Sequence, residues 1–165
     1  MGLIHDPGAA SPPATVADVM TRDVVSCAPD ATLADAARIM WDHDCGFVPV
    51  VELPSKKVRG VVTDRDACMA SLTQGMALCD LPVHVAMRSR VVTVAEGASL
   101  EEAHTLMREH KVRRLPVLDG KHRLVGVLSL NDIVRHLRDA TPGFDPVDVA
   151  TTLSELSRHR ELAVT

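Results

Sequence analysis

The chain has 165 residues, 46% of them apolar, 24% charged and only 2% aromatic, and its formal net charge is −4. That length holds one domain or two small, closely packed units, with Val, Leu, Ile, Ala and Met left to fill the core. A mildly acidic chain with one Trp and no Tyr lacks the basic stripe or stacking aromatics of a general nucleic-acid binder.

In chain order, residues 1–13 are rich in Pro, Ala and Gly and read as a loose leader without the charged-then-apolar pattern of a secretory signal. A first folded unit is expected over 14–75. It opens with a short apolar strand, "VVSCA" at 24–28, followed by Asp30 and Thr32 as helix starts. The segment "LADAARIMWDH" then places Leu33, Ala36, Ala37 and Met40 on one helical face. A second strand, "FVPVVE" at 47–52, carries Pro49, which lacks a backbone donor and so predicts a strand edge or a bulge. The polar turn "LPSKK" leads to a third strand, "VRGVVT" at 58–63, and to a closing helix, "DRDACMASL" at 64–72.

A second unit, expected over 76–140, follows the same plan: "VVTVA" at 91–95, a helix "LEEAHTLMREH", strands "RLPVLD" and "LVGVLS" around the turn "GKHR", and a helix "LNDIVRHLRD". Beyond it, "DATPGF" breaks the pattern, and Asp145 with Pro146 starts a tail helix within 141–165. The two units align residue for residue. Val16 falls on Val83, Met20 on Met87, Leu33 on Leu100, Met40 on Met107, and Pro49–Val50 on Pro116–Val117. After one residue is dropped in the turn, Gly60, Val61 and Asp66 meet Gly126, Val127 and Asp132. A unit of about 60 residues is marginal alone. The expected architecture is therefore α+β: two β-α-β-β-α repeats packed with pseudo-twofold symmetry, leaving clefts where they meet. Met40, Met69, Met87 and Met107 read as core fillers, with Met20 and Met87 beneath the clefts.

The most informative stretches are "GVVTDRD" at 60–66 and "GVLSLND" at 126–132. In each, a strand ends in a hydroxyl residue, Thr63 or Ser129, with Asp66 or Asp132 in the first turn of the next helix. One reading is a helix cap, with the hydroxyl at the N-cap and the acid at N3. The other is a ribose site: the carboxylate accepts the sugar hydroxyls while the hydroxyl residue and free N–H groups face a phosphate. Gly60 and Gly126 would then allow close backbone approach. Duplication explains the recurrence under either reading.

Other chemistry is sparse. Cys27, Cys45, Cys68 and Cys79 form no CxxC pair, and the histidines show no HxH or HxxxH spacing, so no metal site is expected. Reduced cysteines and the lack of a membrane-length apolar run, roughly 18–20 residues, place the protein in the cytoplasm. No nucleophile elbow, Walker loop or dinucleotide fingerprint marks an enzyme.

The segments "ADVMTRDVVSCAPDATLADAARIM", "GFVPVVE" and "GVVTDRD", with "VAMRSRVVTVAEGASLEEAHTLM", "VRRLPVLD" and "GVLSLND", resemble a tandem pair of cystathionine-β-synthase-type (CBS) domains, a Bateman-type module, of the small stand-alone bacterial kind. The resemblance covers about residues 14–140. It implies an adenosine-containing ligand, whether AMP, ADP, ATP, NAD(H) or S-adenosylmethionine, and no required metal. By position it makes Asp66 and Asp132 the ribose acids and Thr63 and Ser129 the accompanying hydroxyls. Val25, Cys45, Gly46 and Phe47 become candidates for one adenine slot, and Val92 and Val112 for the other. Arg113 stands where the family contacts phosphate, whereas the first copy has Gly46 there. Arg65 and Arg114 are further phosphate candidates or solvated surface charges. The resemblance also implies a homodimer and a separate downstream partner protein, with no membrane and no nucleic acid involved.

Overall fold

The structure, a computed structural model, describes residues 14–140, with side chains described as far as 136. The expected leader and tail helix lie outside the described residues. The elements are α1 (Val16–Val19), β1 (Thr21–Arg22), α2 (Leu33–Asp42), β2 (Phe47–Glu52), β3 (Lys57–Thr63), α3 (Asp64–Gln74), β4 (Val94–Ala95), α4 (Leu100–His110), β5 (Arg114–Leu118), β6 (Leu124–Ser129) and α5 (Leu130–Ala140), with 3-10 turns at Leu78–Asp80 and Val83–Val85.

Local chemistry sets the helix starts. The Thr32 hydroxyl accepts the Asp35 N–H at 3.1 Å, and Asp35 accepts the Thr32 N–H at 3.0 Å, closing a capping box on α2. Ser99 caps α4 by accepting the Glu102 N–H at 3.1 Å. Helix α3 stops at Gly75, whose φ of 64° lies in the left-handed region that glycine adopts without strain. The apolar stripes face inward: Leu33, Ala36 and Met40 of α2 are buried, as are Ala103 and Met107 of α4. Met69 departs from expectation, being 45% exposed, because α3 turns only Ala67 and Ala70 into the core.

Strands β2 and β3 form an antiparallel pair, and the second sheet has the order β1-β6-β5-β4. Pro49 pairs with Val61 and Pro116 with Val127, and in both hairpins the register shifts within two residues of the proline. The strands expected at 24–28 and 91–95 are mostly absent. Cys27 makes a single parallel bridge to Val50, and only Val94–Ala95 pairs, with Val117–Leu118. These residues are spent crossing from one repeat to the other.

That crossing is the main feature that periodicity does not reveal. β1, at the start of the chain, pairs with β6 of the second repeat through Thr21↔Val127 and Arg22↔Gly126. Reciprocally, Arg88 pairs with Val61 on β3 of the first repeat. Side chains follow the backbone. Val16 and Met20 are buried with Met107, Leu115, Val117 and Leu128, while Leu81 and Val83 are buried with Leu33, Met40, Val48 and Val62. Each repeat thus completes its core with the segment that precedes the other.

Gly60 and Gly126 sit where these crossing segments press closest. A Cβ on Gly60 would stand 2.8 Å from Met87 Sδ and 3.1 Å from the Arg88 carbonyl oxygen. On Gly126 it would stand 2.7 Å from both Met20 Sδ and the Thr21 carbonyl oxygen. On that side of both glycines the close approach is made by the protein's own chain.

Candidate functional site

Both hydroxyl–acid motifs form at the junction of a strand and a helix. Thr63 is the last residue of β3 and the N-cap of α3. Its N–H and hydroxyl donate to Asp66 Oδ2 at 3.2 and 2.7 Å, and its hydroxyl accepts the Asp66 N–H at 3.2 Å. Ser129 ends β6, and its N–H and hydroxyl donate to Asp132 Oδ2 at 2.9 and 2.6 Å, while the Asp132 N–H returns at 3.2 Å. The capping reading is realised in both copies, but it occupies one oxygen of each carboxylate and leaves the other for a further partner.

The second oxygens differ. Asp66 Oδ1 accepts Arg88 Nη2 at 2.9 Å and Nε at 3.2 Å. Arg88 was not among the sequence candidates. The signal was a mismatch beside a match: next to the aligned Met20 and Met87, the first copy has Thr21 and the second Arg88. Burial pushes the Asp66 carboxyl up, but hydrogen bonds from Arg88 and Thr63 and the guanidinium charge outweigh it and hold the acid below its ordinary range. Around Asp132 the nearest described guanidinium is that of Arg135, 3.9 Å from Oδ1.

The strand starts beside the two motifs also differ. Phe47 lies opposite Thr63 in the β2–β3 register, preceded by Gly46. A Cβ on Gly46 would stand 2.8 Å from Asp64 Oδ2, so that carboxylate leans over the glycine. In the second copy Arg114 lies opposite Ser129, and the Arg113 carbonyl accepts the Leu130 N–H at 2.9 Å. Arg113 and Arg65 are exposed, Arg114 is half-buried, and none of the ion pairs among the described residues engages them. The Asp64 carboxylate accepts the Arg65 backbone N–H at 2.7 Å. Two uncommitted guanidinium groups therefore belong to the strand start beside Ser129, and one to the helix start beside Asp66.

The apolar candidates are dispersed. Val92 and Val112 are half-buried against the second core, and Val25 is 41% exposed. Cys45 lines a groove of about 640 Å³ between α2 and α3, with Met40, Trp41, Asp64, Cys68 and Leu72. A smaller recess of about 260 Å³ joins both repeats at Arg22, Val24, Lys56 and Val125, toward the opposite end of β6 from Ser129. Among the described residues no three His, Cys, Asp or Glu side chains gather as a metal site would need, and no helix is long and apolar enough to cross a membrane.

Comparison with known proteins places the fold in a family. The sequence matches the CBS domain family twice, at residues 16–72 and 80–139. It is 37% identical over 119 residues to the CBS domain-containing protein YhcV of Bacillus subtilis, covering 72% of this chain and 82% of that protein. The crystal structure of Hypoxic Response Protein I with two coordinated zinc ions superposes with a TM-score of 0.68 at 34% identity, covering 75% of this chain and 99% of that one. The crystal structure of CBSX2 in complex with AMP gives a TM-score of 0.65 at 27% identity, covering 76% and 96%. With two matched repeats, a doubled strand–helix motif and the corresponding fold, the chain belongs to the CBS domain family.

Proposed function

We propose that this protein is a regulatory module that binds an adenosine-containing nucleotide (AMP, ADP, ATP, NAD(H) or S-adenosylmethionine) between repeats spanning 14–75 and 76–140. It signals by a change of conformation or assembly and catalyses no reaction. The observation that carries this reading is the doubled carboxylate, set at a strand end in the first turn of a helix, with one oxygen fixed by its own hydroxyl residue. The kinship with a protein crystallised with AMP supports it.

In this reading Asp66 and Asp132 accept ribose hydroxyls, and Thr63 and Ser129 face the ribose or its phosphate. Arg65, Arg113 and Arg114 supply forked donors to phosphate. Val25, Cys45, Gly46 and Phe47 flank one base, and Val92 and Val112 the other. A ligand touching both repeats shifts their arrangement by no more than its difference in affinity for the two states. The protein acts in the cytoplasm as a homodimer and hands the change to a partner protein. The outer helical face, with Trp41 86% and Leu72 72% exposed, supplies apolar surface for assembly.

Thermal melts against each nucleotide, with zinc and a chelator as controls, test the reading. A ligand at about 100 times its Kd adds about 2.7 kcal/mol, a rise of about 5–11 °C for a chain of this size. No rise with any nucleotide overturns it. A rise with zinc alone, reversed by chelator, would favour an interaction protein of the same fold, a reading that draws on the zinc ions of Hypoxic Response Protein I.

A further inference from the structure

The two carboxylates are capped alike and finished differently. An ionised carboxylate offers about four lone-pair positions. At Asp66 four donors engage both oxygens: the Thr63 N–H and hydroxyl on Oδ2, Arg88 Nη2 on Oδ1, and Arg88 Nε shared between Oδ1 at 3.2 Å and Oδ2 at 3.4 Å. Among the described residues, Asp132 receives hydrogen bonds on Oδ2 alone, from Ser129, and Arg135 stands at 3.9 Å from Oδ1, beyond hydrogen-bond reach. A ribose brings two adjacent hydroxyls and needs two free acceptor positions. Asp132 has them and Asp66 does not.

We propose that Arg88 is a latch that holds the Asp66 cleft closed to ribose, so that the Asp132 cleft fills first. This rests on the ribose-binding role of the two carboxylates. The latch joins the repeats, because Arg88 belongs to the segment that crosses from the second repeat onto β3 of the first. Its backbone is anchored there by reciprocal hydrogen bonds with Val61 at 2.8 and 3.1 Å, so the guanidinium is aimed by the crossing itself. Its side chain is nonetheless 60% exposed, against 12% for Asp66. An ion pair so open to water and salt is weak, and a ligand can displace it. At the equivalent position of the other cleft stands Thr21, whose backbone pairs with Val127 in the same way and whose side chain is too short to fork onto Asp132. Arg113 and Arg114 beside Ser129 add to the asymmetry, giving the open cleft the phosphate donors.

The test is calorimetric titration of AMP and of adenosine into the full chain and into Asp66→Ala, Asp132→Ala and the double variant Asp132→Ala/Arg88→Thr. Threonine copies the other cleft and keeps the backbone pairing. If an Ala variant fails to fold, the Asn variant, which retains a capping oxygen, replaces it. We expect Asp66→Ala to keep the tighter site and Asp132→Ala to lose it. The double variant should bind adenosine severalfold tighter than Asp132→Ala, up to about fivefold. Loss of the tighter site in Asp66→Ala but not in Asp132→Ala overturns the proposal. So does unchanged adenosine binding on removing Arg88, or a loss of AMP affinity, which would make Arg88 a phosphate ligand. Binding of neither compound to any of the four proteins removes the ribose reading, and the latch with it.

Discussion

The two repeats were drawn from one plan and have diverged at the seam between them. Their caps agree, Thr63 with Asp66 and Ser129 with Asp132, to within a few tenths of an ångström in the hydroxyl–carboxylate bond. Their surroundings do not: Arg88 against Thr21, Gly46 against Arg113, Asp64 against Leu130. Groups that hold a helix start are satisfied within four consecutive residues and stay matched. Groups supplied by the other repeat are under no such local constraint, and there the copies differ. Pseudo-symmetry of fold therefore does not carry over to the surroundings of the two carboxylates.

The sharpest way to break the comparison is at the crossing. Leu81 is 2% exposed and packs with Leu33 and Val48 of the repeat that precedes it. Leu81→Ala should cost about 2–5 kcal/mol in denaturant unfolding, whereas a loss below about 1 kcal/mol would mean that the cores are not exchanged. A finer contrast sets Gly60→Ala against Gly126→Ala. Both force a methyl against the crossing chain at a cost of about 1–3 kcal/mol. At Gly60 the nearest atom is the movable Met87 sulfur, but at Gly126 a backbone carbonyl is equally near at 2.7 Å. Gly126→Ala should be the more damaging, and the reverse order of midpoints would refute this account.

The smallest effect concerns the hairpin turns. In the first repeat Glu52 pairs with Arg59 across an exposed turn. In the second, Asp119 accepts the Arg123 and Lys121 N–H groups at 2.9 and 2.8 Å and the Arg123 guanidinium at 2.7 Å. The Arg123 backbone bond first, then its side chain, hold the Asp119 carboxyl down at about 2. A depressed folded-state value stabilises the fold above the unfolded value of 3.8, and that contribution fades as pH falls toward about 2. Carboxyl NMR should find the Asp119 midpoint near the lower value, and a midpoint near 3.8 would show that the turn is not closed in this way.

Much of this was legible in the chain. The starts of α2 and α3 followed from Thr32 and Thr63, because a hydroxyl and an acid three residues apart satisfy each other without outside help. Strands β2 and β3, and β5 and β6, followed from apolar runs around polar turns, and the position of the candidate carboxylates followed from the repeat. The strands expected at 24–28 and 91–95 failed because apolar residues in a connector resemble apolar residues in a strand. Only the few pairings they make, Cys27 with Val50 in one case and Val94–Ala95 with Val117–Leu118 in the other, tell them apart. Arg88 was missed for the same reason: its partner is 22 residues away.

The sequence by itself determined the doubling, the elements and their caps, since these depend on hydrogen bonds and periodicities that close within a turn or a hairpin. Tertiary structure alone decided which segment completes which core, which chain presses on Gly60 and Gly126, and which of the two carboxylates Arg88 engages. Those outcomes depend on contacts between residues far apart in the chain, where packing space and the reach of one guanidinium set the result.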